Sequence, residues 1–521
     1  MDKLHEECGV FGISGAENAA ELAFMGIYAL QHRGQESAGI VSVDATGRAR
    51  MHRGMGLVSD VFDAGAVREL EGEVALGHVR YSTAGDSRLR NAQPVLVDYR
   101  QGPLALAHNG NLTNARELRD RLSAEGAIFQ TDSDSEVIIH LIARSRREEQ
   151  EQQVDDALSQ VTGAFSLVLS VGRTLYAARD PRGFRPLVLG RLGPACVVAS
   201  ETCALDIIGA RYLRDVEPGE VLRITDGRVE RMRPLPPAEP SPCLFELVYF
   251  ARPDSRIWGC SVDRARRLFG RQLAREHPAE ADCVFAVPDS SNSAALGYSE
   301  ESGVPFELAL IRNHYVGRTF IHPTQAGRDT GVRLKYNAVT EAIRGKRVVV
   351  VDDSLVRGTT SRGLVGLLRE SGATEIHFRV ASPPIRFPCY YGIDMPTREE
   401  LIGADHSVEQ IRDHLGVDSL GYLSMEGMRE AVARHGPFCD ACWTGEYAAP
   451  LVDLEHGYDV APSGSTRSGI TADARRATPE RRAAREPDRR PAREPDAAVG
   501  PERDGSPAPA PETPAAAPTR R

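Results

Sequence analysis

The stretch VVVVDDSLVRGTTS, Val348 to Ser361, decides how the second half of the chain reads. Four consecutive valines form a short apolar run of the kind that is buried on both faces in a parallel sheet. Asp352 and Asp353 stand at its carboxyl end, where open α/β sheets bind ligands. Ser354 to Ser361 then make a turn rich in small hydroxyl residues, with Gly358 inside it. The amphipathic segment SRGLVGLLRESGA, closed by Gly372, follows as a helix. Backbone N–H groups and hydroxyls at a helix N-terminus bind phosphate. Two carboxylates suit sugar hydroxyls or Mg²⁺. The loop therefore offers a phosphate cradle beside two acids, which fits a ribose 5-phosphate. It is not a Walker A loop, because GxxxxGK followed by Ser or Thr is absent.

Outward from this loop, CVFAVPDS (Cys283–Ser290) and EIHFRVAS (Glu375–Ser382) are further short apolar strands. Strand, helix, strand predicts a parallel sheet covered on both faces. Leu308 to Asn337 is long and mixed, with Arg312, Arg318, Arg328, Arg333 and Lys335, and reads either as a solvated surface loop or as a lid over a phosphate site. Upstream, the proline cluster RPLPPAEPSP (Arg233–Pro242) is a linker. Before it the pattern is rich in strands. GAFSLVLSVGRTLYAARD predicts a hairpin about Gly172-Arg173. LAHNGNLTNARELRDRL predicts a strand, a tight turn at Asn109-Gly110, and a helix capped by Thr113 or Asn114.

The first half opens on HEECGVFGI, His5 to Ile13. Cys8 is either a small buried hydrophobe in a first strand or a nucleophile exposed when the leader is cut away. In the second case its own α-amino group, with a pKa of ~7.7–8.0, takes the thiol proton and no catalytic histidine is needed. Three other pieces suit an amino-acid substrate. GHVRYSTAG puts Arg80 at a strand end, TDSDSE supplies Asp134 before a helix, and LAHNGNLTN supplies Asn109 and Gly110. An amino acid needs a cation for its carboxylate and an anion for its ammonium. A tetrahedral intermediate needs an amide and a backbone N–H as oxyanion donors.

Four further cysteines stand out. FCDACW holds Cys439 and Cys442, Cys243 follows the linker, and Cys389 lies in RFPCYYGID. Four thiolates bind zinc or an Fe–S cluster equally well, and spacing alone does not choose. Cys196, Cys203, Cys260 and Cys283 read as core residues.

Together these motifs resemble the amidophosphoribosyltransferases, or glutamine phosphoribosylpyrophosphate (PRPP) amidotransferases, over roughly Cys8 to Tyr447. Two independent motif sets occur in that family's order. The resemblance implies an N-terminal-nucleophile αββα sandwich glutaminase domain over 8–235 and a type I phosphoribosyltransferase α/β domain over 243–400. A propeptide over 1–7 and a helical segment with cluster ligands over 401–450 complete it. It implies Cys8 as nucleophile, Arg80 and Asp134 on glutamine with Thr83 close by, and Asn109 with Gly110 as the oxyanion hole. In the other half it implies Ser290, Asp352 and Asp353 at a Mg²⁺ site. PRPP would lie on Asp352, Asp353, Ser354, Arg357, Gly358, Thr359, Thr360 and Ser361, with Arg333 and Lys335. Cys243, Cys389, Cys439 and Cys442 would hold a 4Fe–4S cluster, as in a subset of the family. The implied reaction makes 5-phosphoribosylamine from glutamine and PRPP, the first committed step of purine synthesis. Purine nucleotide inhibitors and a homotetramer are expected with it.

Composition agrees. The 521 residues are 41% hydrophobic and 26% charged, with net charge −10, which disfavours a nucleic-acid binder. No apolar run approaches a membrane span of ~18 residues, and no signal peptide is evident. A cytoplasmic protein is expected, and nine cysteines in such a chain do not suggest a disulfide framework. From 463 to 521 the composition collapses to Ala, Pro, Arg, Glu, Asp and Thr, which predicts a disordered tail. Two rival readings fit part of the pattern. Another glutaminase-type synthase would lack VVVVDDSLVRGTTS, and a PRPP-binding regulator would lack the Cys8 half.

Overall fold

The computed structural model describes residues 8–81, 87–313, 332–395 and 397–458. The leader 1–7, Thr83, Arg318, Arg328 and the tail 463–521 lie outside the described residues. All described residues fall in one compact unit, Met1–Arg467.

The first half is built on two antiparallel sheets. The first contains β1 (Gly9–Ser14), β2 (Ser37–Val43), β3 (Ala49–Met55) and β4 (Val74–Arg80). The second begins with β5 (Val95–Tyr99), β6 (Gly102–Leu112), β7 (Gly163–Val171) and β8 (Thr174–Arg179). β9 (Val188–Leu192), β10 (Ala195–Ala199) and β11 (Arg211–Asp215) extend the first, and β12 (Val221–Thr225) and β13 (Arg228–Arg231) the second. The strand orders are β11-β9-β10-β1-β4-β2-β3 and β13-β12-β8-β7-β6-β5.

Side-chain alternation makes this a four-layer sandwich. Val10, Val41 and Leu76 of the first sheet meet Ala107, Val168 and Ala177 of the second. Phe11 and Ile13 point the other way, onto Ala23 and Ile27 of the helix Ala19–Ala29. Leu104, Leu106 and Leu167 pack outward on Leu118, Val137 and Ile138 from the helices Ala115–Ala124 and Glu136–Arg144. The expected hairpin about Gly172-Arg173 is β7–β8.

Residues 233–242 form no regular element. Beyond them come the short pair β14 (Arg256–Ile257) and β15 (Cys260–Ser261), then β16 (Cys283–Ala286). β17 (Leu310–Arg312) pairs with β18 (Tyr336–Ala338), and β19 (Arg347–Asp352), β20 (Glu375–Val380) and β21 (Ser419–Tyr422) follow. β16, β19, β20 and β21 make a parallel sheet in that order. Along β19, Val349 and Val351 enter one core while Val348 and Val350 enter the other. Each buried valine is worth about 1.5–3 kcal/mol over exposure, so the run is fixed from both faces.

Three local expectations need correction. Asn109-Gly110 is not a tight turn; both residues lie within β6, paired with Ser166 and Phe165 of β7. Neither Thr113 nor Asn114 caps the helix Ala115–Ala124 through its side chain. Asp453 does so instead, accepting from the N–H groups of Arg116 and Glu117 at 2.9 and 3.0 Å. The segment from 401 is not wholly helical, because Ser419–Tyr422 is the fourth strand of the parallel sheet. Four residues are too few to show a period. Among the described residues no helix is long and apolar enough to cross a membrane.

Candidate active site

Cys8 immediately precedes β1, the strand between β10 and β4. It is 6% exposed, with Sγ 3.5 Å from the carbonyl of Tyr81. Burial pushes its thiol up to about 11, against the pull of the Arg80 charge. The Cys8 carbonyl is held by Arg33, whose Nε donates to it at 3.0 Å. The Arg33 guanidinium lies 2.6 Å from Glu201 and 2.6 Å from Glu246. Burial would raise the Glu201 carboxyl, but His32, Arg33 and the Ser255 hydroxyl hold it far below its ordinary range.

Arg80 ends β4, 3% exposed and 2.8 Å from Glu36. Asp134 is buried. Burial would raise its carboxyl, yet His108, 3.7 Å away, the Leu112 N–H and the Ser135 hydroxyl together lower it. Asp134 is therefore an anion at neutral pH. His108 in turn has its Nδ1 2.9 Å from Ser135, and its carbonyl accepts from His78 Nε2 at 2.9 Å. Burial depresses His78 to about 3, so it is neutral.

Asn109 is 1% exposed, and among the described residues neither atom of its side-chain amide has a hydrogen-bond partner. Such an orphan pair is costly unless a ligand completes it. Gly110, at φ 144°, follows it on the same strand. The structure thus brings Arg80 and Asp134 each within electrostatic reach of Cys8.

In the second half, Asp352 ends β19 and both acids are 2% exposed. The Ser290 hydroxyl donates to Asp353, and Ser354 does so at 2.6 Å. Ser291 donates to Asp352 at 3.2 Å. Gly358, at φ 80°, caps the helix Thr359–Glu370, so Thr359, Thr360 and Ser361 form its first turn. A glycine is favoured at such a left-handed position. Arg357 lies at the loop, 3.1 Å from Glu400. Arg333 is placed elsewhere: it pairs with Glu370, the last residue of that helix. Lys335 stacks over the Tyr336 ring, 5.4 Å from its centroid.

Cys243, Cys389, Cys439 and Cys442 line one small cavity with Phe184, Arg185, Tyr391, Ile393 and Tyr447. Cys243 and Cys439 also form a backbone bridge. Burial first, then the nearness of the other three thiols, drives the Cys442 thiol well above its ordinary value. Among the described residues, no three His, Cys, Asp or Glu side chains gather as closely as a single ion requires. Cys196, Cys203, Cys260 and Cys283 are buried, as expected of core residues.

Arg33, Glu201 and Glu246 were not foreseen as site residues. A signal existed: each acid is a lone charge in an apolar run, VVASETCAL and CLFELVYF, and a buried charge needs a partner. His78 and Asp453 carried no such signal.

A family model described as a glutamine amidotransferase domain matches residues 78–206, which contain Arg80, Asn109, Gly110 and Asp134. The molecule is a glutamine amidotransferase joined to a phosphoribosyltransferase domain. The chain is 51% identical to the amidophosphoribosyltransferase of Bacillus subtilis, with 86% of this chain and 95% of that protein covered. It is 50% identical to the Synechococcus elongatus enzyme of the same name, with 86% and 92% covered. It is 52% identical to the chloroplastic amidophosphoribosyltransferase 1 of Arabidopsis thaliana, with 87% and 81% covered. Two solved structures superpose over 88% of the chain. One, described as the allosteric regulatory enzyme of purine biosynthesis, has TM-score 0.83, 49% identity and 98% of its own chain covered. The other is the B. subtilis glutamine PRPP amidotransferase complexed with ADP and GMP, with TM-score 0.82, 48% identity and 99% covered. The chain belongs to the amidophosphoribosyltransferase family.

Proposed function

We propose that the protein transfers the amide nitrogen of glutamine to C1 of PRPP, giving 5-phosphoribosylamine, glutamate and diphosphate, the first step of purine synthesis. The observation that carries the glutaminase half is the buried amide of Asn109, which has no hydrogen-bond partner among the described residues.

Arg80 takes the glutamine α-carboxylate in exchange for Glu36, and ionised Asp134 takes the ammonium. Thr83, outside the described residues, is a further contact. Removal of residues 1–7 frees the Cys8 α-amino group, which accepts the thiol proton as sulfur attacks the amide carbon. The Asn109 amide and the Gly110 N–H stabilise the oxyanion. Collapse expels ammonia and leaves a γ-glutamyl thioester, which water cleaves to glutamate and the free thiol. Ammonia passes inside the protein to the second site and bonds to C1 as diphosphate leaves. Ser354 to Ser361, with Arg357, bind the ribose phosphate, and Asp352 and Asp353 hold the ribose side. Lys335 and Arg333 reach the diphosphate only by leaving Tyr336 and Glu370.

Two carboxylates ringed by hydroxyls suit Mg²⁺, which keeps several waters and shares substrate phosphates. Ser290, Asp352 and Asp353 would hold it, and it would neutralise charge on the leaving diphosphate. Four thiols round one cavity, too spread for a single ion, suit a 4Fe–4S cluster held by Cys243, Cys389, Cys439 and Cys442. It would tie the linker, the transferase half and the C-terminal segment together. The ADP and GMP in the B. subtilis complex support purine nucleotides as inhibitors here. All nine cysteines are free, which suits the reducing cytoplasm. A homotetramer is the proposed assembly, checked by light scattering.

The test is Cys8→Ala. Synthesis from glutamine should vanish while synthesis from added ammonia persists; retained glutamine use would overturn the nucleophile.

A further inference from the structure

Gly110 is not enclosed by the first half of the chain alone. Gly110 is closed on one side by β7, where a Cβ on Gly110 would stand 2.1 Å from the Ala164 carbonyl oxygen. On another side stands Gly392, a residue of the transferase half. A Cβ built on Gly392 would lie 2.9 Å from the Gly110 carbonyl carbon, 3.0 Å from its Cα and 3.2 Å from its oxygen. These are backbone atoms, so no side chain can swing away. Gly392 has φ 109°, which L side chains rarely adopt.

The segment carrying Gly392 is firmly held. The Tyr390 carbonyl accepts from Asn111 Nδ2 at 3.0 Å, one residue beyond Gly110. The Tyr391 carbonyl accepts from Arg185 at 3.0 and 2.7 Å. The Tyr391 ring stacks on Phe184 with centroids 4.3 Å apart, and its hydroxyl donates to the Ala449 carbonyl at 2.7 Å. Two backbones in contact between two anchored segments behave as a stop.

Granting the assignment of Asn109 and Gly110 as oxyanion donors, we infer that Gly392 is a positioning residue for glutamine hydrolysis. It forms the outer wall of the oxyanion hole and fixes the direction of the Gly110 N–H, with the Tyr390–Asn111 hydrogen bond setting the register. The wall matters to the tetrahedral intermediate and not to the α-amino and α-carboxylate groups, which Arg80 and Asp134 hold elsewhere.

The experiment compares wild type, Gly392→Ala and Asn111→Ala. Losing one oxyanion donor costs ~10²–10³ in kcat, so a displaced donor in Gly392→Ala should cost about 10–100-fold in glutaminase kcat. KM for glutamine should stay within about threefold and ammonia-dependent synthesis within about twofold. Asn111→Ala should show a smaller loss of the same pattern. Calorimetry supplies a readout free of turnover. Glutamate γ-semialdehyde adds reversibly to the Cys8 thiol and places its oxygen in the hole, whereas glutamate does not. The aldehyde should bind Gly392→Ala about 10–100-fold more weakly, and glutamate as in wild type. Unchanged aldehyde affinity, or equal loss of glutamate binding or of ammonia-dependent synthesis, would overturn the inference. A wild-type enzyme that neither hydrolyses glutamine nor binds the aldehyde would instead overturn the oxyanion assignment beneath it.

Discussion

Cys8 and Asn109 show opposite ways in which a single residue is prepared for chemistry. Cys8 is buried, and burial outweighs the Arg80 charge, so its thiol is protonated at neutral pH. A raised thiol pKa means little thiolate at pH 7 and more as pH climbs toward about 11. Iodoacetamide alkylation of Cys8, followed by mass spectrometry, should therefore be slow and steeply alkaline in a chain retaining residues 1–7. In the chain beginning at Cys8 it should be faster near pH 8, where the α-amino group is neutral. Identical profiles would contradict the role of that amine. The Asn109 amide has no hydrogen-bond partner among the described residues. Asn109→Ala should leave Tm within about 2 °C, because no hydrogen bond is lost, while glutaminase kcat falls ~10²–10³-fold. A large drop in Tm would mean the side chain is structural. The sequence singles out Arg80 and Asp134 because an amino-acid substrate would need one cation and one anion, and Cys8 because a short polar leader precedes it. It does not single out Arg33, because its partners Glu201 and Glu246 lie far along the chain and only folding brings them together.

At the scale of elements, the two halves are joined by buried polar contacts. Glu246 opens the turn of helix 246–250 and lies between Arg33 and Arg185, all three without solvent exposure. Glu246→Ala leaves two buried cations short of a partner and should destabilise by about 3–5 kcal/mol, measured by denaturant unfolding; a loss under 1 kcal/mol would contradict a buried pair. Asp453 serves the helix Ala115–Ala124 from the far end of the described chain. Asp453→Ala should cost about 0.5–2 kcal/mol, as a lost N-cap does. The parallel sheet was legible because four valines bounded by acids have few other readings. The Asn109-Gly110 turn was misread for a physical reason. Asn-Gly favours turns in isolation, yet here β7 pairs both residues. The cap from Asp453 and the strand Ser419–Tyr422 depend on tertiary contacts that no local pattern announces.

At the scale of the molecule, one chain holds the Cys8 region, the Asp352–Ser361 loop and a four-thiol cavity, and residues of the first half pack into the core of the second. Ala164 and Phe184 pack in the same apolar cluster as Cys243, Cys389 and Cys442. Protein purified without oxygen should carry about four iron and four acid-labile sulfide per chain if the thiols hold a cubane; stoichiometric zinc would contradict it. The central claim is that nitrogen released at Cys8 is the nitrogen that reaches ribose C1. The direct measurement supplies glutamine labelled with ¹⁵N in its amide, PRPP, Mg²⁺ and an equal concentration of unlabelled ammonium, and traps the phosphoribosylamine for mass spectrometry. Product carrying almost entirely ¹⁵N is predicted; product labelled at the ratio of free ammonia in the medium would contradict internal transfer between the two sites.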